Sequence, residues 1–179
     1  EVPNLKIKNF THSGKGEVVV TSDNTADLFL YSGNNQITLD DYYSRLVINY
    51  DSEDDVNKLL EVNLVYNNEL ASEIIIGQLR NKSNFMISGQ LENQALKRVS
   101  FKGEYQDLNL EKYSFSDCEC LKHIVFPEKC DTINVKELAF INVGLESIEF
   151  PFYSNIKYHA FDKCDSLENI TFKKGCDIA

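Results

Sequence analysis

The stretch Ala160-Phe161-Asp-Lys-Cys164-Asp-Ser-Leu167-Glu-Asn-Ile170-Thr-Phe172 ends in a phrase, Leu-x-x-Ile-x-Phe, that recurs along the chain. Earlier copies, one with valine for isoleucine, end at Phe101, Phe126 and Phe150, so successive copies are 25, 24 and 22 residues apart. Periods of about 20–29 residues are typical of leucine-rich repeats, in which each repeat forms one coil of a solenoid. The second half of the chain is therefore predicted to be a solenoid of about four coils.

A second phrase precedes the strand phrase in the last three copies. It reads Phe115-Ser-Asp-Cys118, Ala139-Phe140-Ile-Asn-Val143 and Ala160-Phe161-Asp-Lys-Cys164, and one residue is missing after Val143. Coils that contact only their neighbours must point equivalent positions inward, so a deletion is tolerated best in a turn. Pro127 and Pro151 directly follow two strand phrases, where a residue without an amide donor can end a strand.

Together the two phrases resemble the BspA-like class of leucine-rich repeats, whose unit runs approximately Ala-Phe-x-x-Cys-x-x-Leu-x-x-Ile-x-Ile-Pro. The resemblance covers residues 89–179. It implies a secreted or cell-surface protein of a kind associated with adhesion and with binding of host proteins. It also implies no catalytic residues and no cofactor, so the chain is not expected to be an enzyme.

Residues 1–88 lack the strand phrase at a regular period. Short apolar runs about ten residues apart, bounded by turn formers such as Gly14-Lys-Gly16 and Gly33-Asn-Asn35, predict a small, sandwich-like β-rich domain. This domain would end near Ser88-Gly89 and could cover the open end of the solenoid. The alternative is that these strands are degenerate repeats that continue the solenoid. In either case the predicted fold class is mainly β.

The charge of the chain narrows the classes of partner. Lys plus Arg total 18 and Asp plus Glu total 28, which gives a net charge of −10. Nucleic-acid backbones are held chiefly by clustered Lys and Arg, and the sequence contains no such cluster, so nucleic acid is not an expected partner. No apolar run reaches the ~18 residues needed to span a bilayer, so direct membrane insertion is not expected. A protein or glycan macromolecule remains the expected partner.

All five cysteines lie in the repeat half, and they are predicted to be reduced, mostly buried packing residues. If Cys130, Ser154 and Cys176 share one repeat position, the two cysteines lie about 9.6 Å apart, beyond the ~7 Å Cα limit for a disulfide. A redox or zinc site at Cys118-Glu-Cys120 with His123 is the alternative, although zinc needs about four converging ligands. The acidic run Asp51-Ser-Glu53-Asp54-Asp55 is interpreted as a solvated turn rather than a calcium site. No metal site is therefore predicted.

The predicted binding surface follows from the alternation of side chains along a strand. The residues on either side of each central isoleucine or valine should face solvent, because their neighbours point into the core. These residues form a ladder on one sheet face: Arg98, Ser100, His123, Val125, Ser147, Glu149, Asn169 and Thr171. Their mixed chemistry suits a protein or glycan better than a small apolar ligand. The alternative is that they are merely solvated strand residues.

Two functions are consistent with this sequence. The first is a non-enzymatic recognition or adhesion module that binds its partner through the ladder. The second is a structural or assembly module that scaffolds a larger surface protein or self-associates through the open end of the repeat array.

Overall fold

The computed structural model describes residues 10–20, 25–39, 45–50, 60–66, 72–76, 82–88 and 96–179. In the first half the strands are β1 (Phe10–Val20), β2 (Thr25–Leu39), β3 (Arg45–Tyr50), β4 (Leu60–Tyr66), β5 (Glu73–Ile76) and β6 (Lys82–Ser88). In the second half they are β7 (Arg98–Phe101), β8 (Glu104–Leu110), β9 (His123–Val125), β10 (Lys129–Val135), β11 (Ser147–Phe150), β12 (Tyr153–Ile156), β13 (Asn169–Phe172) and β14 (Cys176–Ile178). The described residues include no helix, and hence none that could cross a bilayer.

The strands pair in the manner of a β-solenoid. Among the described residues, twelve strands form one sheet: eleven follow the order β14-β12-β10-β8-β6-β4-β2-β3-β5-β7-β9, and β1 joins as the antiparallel neighbour of β2. Every other ladder is parallel, with odd-numbered strands pairing along one arm and even-numbered strands along the other. The long strand β2 belongs to both arms, because its first half pairs with β3 and its second half with β4. β11 and β13 form a separate two-stranded sheet.

The C-terminal region winds into about three full turns of this solenoid and the two strands of a fourth, where the repeat period predicted about four coils. We divide it into coil 1 (96–120), coil 2 (121–144), coil 3 (145–166) and coil 4 (167–178). Each coil contributes one strand to a short-strand face, made of β7, β9, β11 and β13. It contributes a second strand to a long-strand face, made of β8, β10, β12 and β14. The predicted solenoid, with its strand phrases on one face, is confirmed.

The core consists of columns of equivalent side chains stacked from coil to coil. Leu110, Val135 and Ile156 form one column on the long-strand face, and each is at most 6% exposed. The rings of Phe115, Phe140 and Phe161 stack nearly parallel, with centroids 5.1 and 4.9 Å apart. Such aromatic pairs contribute about 0.5–1.5 kcal/mol each beyond the burial of their area.

The turns between coils also stack through backbone hydrogen bonds. The Phe115 amide donates to the Ala139 carbonyl, and the Phe140 amide donates to the Ala160 carbonyl, both at 2.8 Å. Asp117 and Asn142 occupy equivalent places with φ of 59° and 54°, a left-handed conformation that Asn and Asp tolerate better than most residues. The Asn142 amide nitrogen donates to Asp117 Oδ1 at 2.9 Å and links the two turns.

The predicted domain boundary near residue 88 lies beside residues 89–95, which are outside the described part of the chain. Across it, β5 pairs with β7 and β6 pairs with β8 in parallel register. The division into a domain of residues 1–88 and a repeat region of 89–179 stays a prediction. The acidic run at residues 51–55 also lies outside the described residues.

All five cysteines are free thiols, of which Cys118 and Cys130 are buried and the other three half-buried. Cys118, Val143 and Cys164 line the turn side of the core, as predicted. The assumed equivalence of Cys130 and Ser154 is wrong, because Ser154 pairs with Ile133. Phe126 lies seven positions before Ile133 in coil 2, whereas Phe150 lies only four positions before Ser154 in coil 3, and this difference shifts the register.

Gly144 lies at the end of coil 2, where one residue is missing after Val143, and we expect Gly144→Ala to destabilise the protein. A Cβ at this position would overlap the backbone carbonyl of Glu119 in the preceding turn. Because this carbonyl belongs to the main chain, it cannot move aside as the end of a flexible side chain can. Overpacking of this kind costs about 1–3 kcal/mol in the free energy of unfolding. Urea denaturation measures the loss, with the exposed Ser166→Ala in the next turn as the control. Equal stabilities of the two variants would contradict the close approach.

The stability of the protein should fall at alkaline pH because of Cys118. Burial, with a smaller effect of the Asp117 carboxylate, raises the pKa of this thiol from 9.0 to about 12. A raised pKa means that the folded state favours the neutral thiol, so this stability is complete below pH 9 and is lost as the pH rises towards 12. Cys118→Val copies Val143 of the next coil and removes the titrating group. Between pH 9 and 10.5, urea denaturation should show wild type losing about 1–2 kcal/mol more than Cys118→Val, and equal losses would refute this account.

Candidate functional site

The short-strand face brings most of the predicted ladder residues together in register. Arg98 pairs with His123, and Ser100 pairs with Val125, across β7 and β9. Ser147 pairs with Asn169, and Glu149 pairs with Thr171, across β11 and β13. The first pair of strands continues into β5, where Glu73 pairs with Arg98.

The side chains are exposed at six of the eight predicted positions, namely Arg98, His123, Ser147, Glu149, Asn169 and Thr171. Val125 is half-buried. The expectation that Ser100 faces solvent is wrong, because this residue is only 3% exposed. The Arg98 side chain lies against it, with Nε donating to Ser100 Oγ at 3.4 Å. Ser100 therefore supports Arg98 rather than presenting its own hydroxyl.

The ladder is not one continuous surface. Within residues 96–179, all of which are described, no backbone ladder joins β9 to β11, and nearly all Cα–Cα distances between these two strands exceed 8 Å. Paired strands lie about 4.8 Å apart. The predicted surface is therefore divided into two patches, one on β7 and β9 and the other on β11 and β13.

The division has its cause in the lengths of the coils. Ile133 lies seven positions after Phe126, whereas Ser154 lies only four positions after Phe150, although Ile133 and Ser154 are paired on the long-strand face. Coil 3 thus has three fewer residues between these equivalent positions, or about 10 Å less extended chain. The strands of coils 2 and 3 stay paired on the long-strand face. Because coil 3 is shorter, its strand β11 cannot also lie beside β9 on the short-strand face. The mismatch opens the space between β9 and β11.

This opening is a groove with a volume of about 650 Å³. Its two sides are the strand phrases of coils 2 and 3 and the prolines that follow them. The lining residues are Lys122, His123, Ile124, Val125, Phe126, Pro127, Glu146, Ser147, Ile148, Glu149 and Pro151. Four of the predicted ladder residues, His123, Val125, Ser147 and Glu149, lie on its walls.

Contacts at one end of the groove and beneath it hold the two coils together. At one end, Lys122 Nζ reaches across to the Gly144 carbonyl at 2.7 Å and to Glu146 Oε1 at 3.1 Å. Beneath it, the rings of Phe126 and Phe150 lie with centroids 5.1 Å apart, close to the 5.3 Å between Phe150 and Phe172. The groove is therefore open at the level of the backbone and closed by side chains in the core.

The charges near the groove are mixed. Glu149 Oε1 accepts from Lys173 Nζ at 2.7 Å, and both side chains are about half exposed. Arg98 Nε lies 3.8 Å from Glu73 Oε1 on the other patch. Pairs as exposed as these contribute only about 0–1 kcal/mol to stability, so they can exchange partners when another charged surface approaches.

The alternative site at Cys118, Cys120 and His123 is not supported. Cys118 is only 1% exposed, and its raised pKa keeps it as a thiol, whereas a metal ligand or nucleophile must be a thiolate. Among the described residues, no three His, Cys, Asp or Glu side chains are grouped so that they could hold a metal ion. His123 instead lies exposed on the groove wall.

Sequence reasoning missed the groove and the lining residues Lys122, Ile124, Phe126, Glu146 and Ile148. The signal was present in the unequal spacing of the coils, which shortens from 25 to 22 residues. It was not interpreted because the strands of the long-strand face have no conspicuous phrase, so the place of the three missing residues was not evident.

Comparison with known proteins agrees with this geometry. The family model for the BspA-type leucine-rich repeat region matches residues 83–178 with six copies of the repeat. No curated protein and no solved structure matches the chain. Since the family model covers more than half of the chain, the protein belongs to the BspA-type leucine-rich repeat family.

Proposed function

We propose that this protein is a non-enzymatic recognition module of a secreted or cell-surface protein, and that it binds another protein through the short-strand face. Membership in the BspA-type leucine-rich repeat family suggests a protein–protein interaction or adhesion-type module. The observation that carries the proposal is the exposed groove of about 650 Å³, flanked on both sides by ladder residues that do not contribute to the core.

The narrow width of the short-strand face favours a partner that contacts the groove. Four coils at about 4.8 Å spacing span less than 20 Å, which is narrow for a standard interface of about 800 Å² on each partner. A flat surface of this width would bind weakly. A groove adds concave area and allows a partner to be enclosed on two sides, which raises the area buried for the same width.

The composition of the two patches fits a polar rim around an apolar centre. His123, Ser147 and Glu149 are exposed, whereas Val125 and Ile124 are half-buried at the groove. Interfaces between proteins commonly have a central apolar region surrounded by polar residues. A glycan remains the other class of macromolecule that the mixed polar chemistry fits.

A second candidate function, assembly through the last coil, is favoured by one observation. Ile156 is 6% exposed, but Ile178, which pairs with it in coil 4, is 70% exposed. Likewise Ile148 is 5% exposed and its partner Ile170 is 40% exposed. These side chains occupy core columns and become buried when another coil or a second copy stacks on coil 4.

Recognition predicts that reversing one groove charge will abolish binding without affecting the fold. The test uses Glu149→Lys on an array of immobilised extracellular proteins and glycans. We expect any partner bound by wild type to lose at least tenfold in affinity, because an ion pair is replaced by repulsion at the groove wall.

Glu104→Lys is the matched control for that experiment. Glu104 is an exposed strand glutamate on the long-strand face, and its carboxylate pairs with Lys129 Nζ at 3.2 Å. Glu104→Lys therefore makes the same change in charge as Glu149→Lys and also removes a surface ion pair. If both variants bind as wild type does, or if both lose binding equally, the short-strand face is not the binding surface.

Assembly predicts concentration-dependent association that a charge on coil 4 prevents. Ile178→Asp should convert a dimer to a monomer in sedimentation equilibrium, because an unpaired carboxylate would be buried in the stacked interface. Glu104→Lys serves as the control and should leave the association unchanged, because Glu104 is an exposed residue of coil 1. A wild type that stays monomeric at high concentration would refute self-association.

A further inference from the structure

We infer that the groove between β9 and β11 accepts an extended segment of another polypeptide, which adds one strand to the short-strand face and restores a continuous sheet. This inference rests on the proposed recognition function and specifies the chemistry of its partner. The partner is an extended, non-helical peptide with alternating apolar and polar residues and basic outward side chains.

The groove is wider than the spacing of paired strands. Nearly all Cα atoms of β9 and β11 are more than 8 Å apart, whereas directly paired strands would be about 4.8 Å apart and strands with one strand between them about 9.6 Å apart. The length is also that of a short strand, because β9 has 3 residues and β11 has 4. The gap is therefore wider than that between paired strands along the length of a three- to four-residue strand.

The walls present backbone groups that need partners. The His123 amide donates to the Lys97 carbonyl at 3.2 Å on the β7 side, so the peptide groups of the next residue, Ile124, point into the groove. On the opposite wall, the Phe150 carbonyl accepts from the Lys173 amide at 3.0 Å on the β13 side. The alternate residues of β11, Ser147 and Glu149, therefore direct their peptide groups towards β9.

Two facing strand edges select for a polypeptide. An inserted strand satisfies both edges at once, and this main-chain pairing supplies affinity in proteins that bind peptides by strand addition. A glycan offers hydroxyl groups but no alternating amide donors and carbonyl acceptors at the strand repeat. A free edge of this kind is normally protected in soluble proteins, because it templates pairing with other chains.

The side chains of the walls define the sequence preference. Phe126 and Phe150 touch beneath the groove and Ile124 and Ile148 line it, so alternate residues of the peptide that point inward rest on a shallow apolar floor and must be small and apolar. The outward-pointing residues of the peptide lie between His123 and Val125 on one wall of the groove and Ser147 and Glu149 on the other. The Glu149 carboxylate at the groove and the net charge of −10 favour lysine or arginine at these outward positions.

The test measures binding of capped heptapeptides, Thr-Val-Lys-Val-Thr-Val-Lys and the same peptide with Glu for Lys, to the full chain by calorimetry. A third peptide carries N-methyl groups on alternate residues, which removes amide donors while keeping every side chain. We expect the lysine peptide to bind with a Kd below about 1 mM, and the N-methylated and glutamate peptides to bind at least tenfold more weakly.

Protein variants test the same point from the other side. Ser147→Pro removes a backbone donor that faces the groove, and proline is tolerated on an edge whose amide is unpaired. Ser147→Ala is its matched control, because it removes the hydroxyl and keeps the amide. We expect Ser147→Pro to weaken the lysine peptide tenfold or more, and Ser147→Ala to change binding by less than twofold. Because Ser147→Pro can also unfold locally, the N-methylated peptide on wild-type protein tests the main-chain contacts without any change in the protein.

The outcomes separate this inference from the proposed function. If no heptapeptide binds below about 1 mM, or if the N-methylated peptide binds as well as its parent, strand addition is refuted. The recognition function then still stands if Glu149→Lys, and not Glu104→Lys, abolishes binding to an array partner. If that partner is a glycan, the inference of a peptide partner is refuted as well.

Discussion

The stacking of equivalent positions from one coil to the next is the constraint on which the rest of this structure depends. Parallel ladders fix neighbouring coils at one strand spacing, and at that spacing the rings of Phe115, Phe140 and Phe161 lie 4.9–5.1 Å apart. The same constraint places backbone hydrogen bonds between the turns, so each coil is held on the turn side as well as on the strands. A residue change at one position is therefore felt by the coils on both sides of it.

Stacking needs coils of equal length on every side, and the repeat region departs from this by one residue after Val143 and by three residues between Phe150 and Ser154. From the phenylalanine of the strand phrase to the equivalent paired residue of the long-strand face, coils 1 and 2 have three more residues than coils 3 and 4. The long-strand face keeps its pairing through this three-residue step. The short-strand face then opens between β9 and β11, where Lys122 and the ring contact of Phe126 with Phe150 hold the two coils together. A change in coil length thus produces a groove without interrupting the core, which links the fold directly to the proposed binding surface.

The change in coil length between coils 2 and 3 also explains how a small repeat array gains a specific binding surface. The exposed residues of the short-strand face are few, and a regular ladder of solvated side chains would offer little to distinguish one partner from another. The groove adds two strand edges, an apolar floor and Glu149 at one wall, and each of these restricts what can bind. The pairing of Glu149 with Lys173 shows that this carboxylate is already in an environment that accommodates a cation.

Much of this followed from the sequence alone. The recurrence of Leu-x-x-Ile-x-Phe predicted the solenoid and the exposed positions His123, Ser147, Glu149 and Thr171, because inward-facing side chains must repeat with the coil and alternation along a strand then directs their neighbours outward. Whether residues 1–88 form a separate domain stays a prediction, although β5 and β6 pair with β7 and β8. Only the tertiary structure revealed the burial of Ser100 under Arg98, the pairing of Ser154 with Ile133, and the gap between β9 and β11. Each of these depends on the length of chain between the two strand faces of a coil and on which residues of the next coil it then pairs with. That pairing joins strands remote in sequence, so no local phrase determines it.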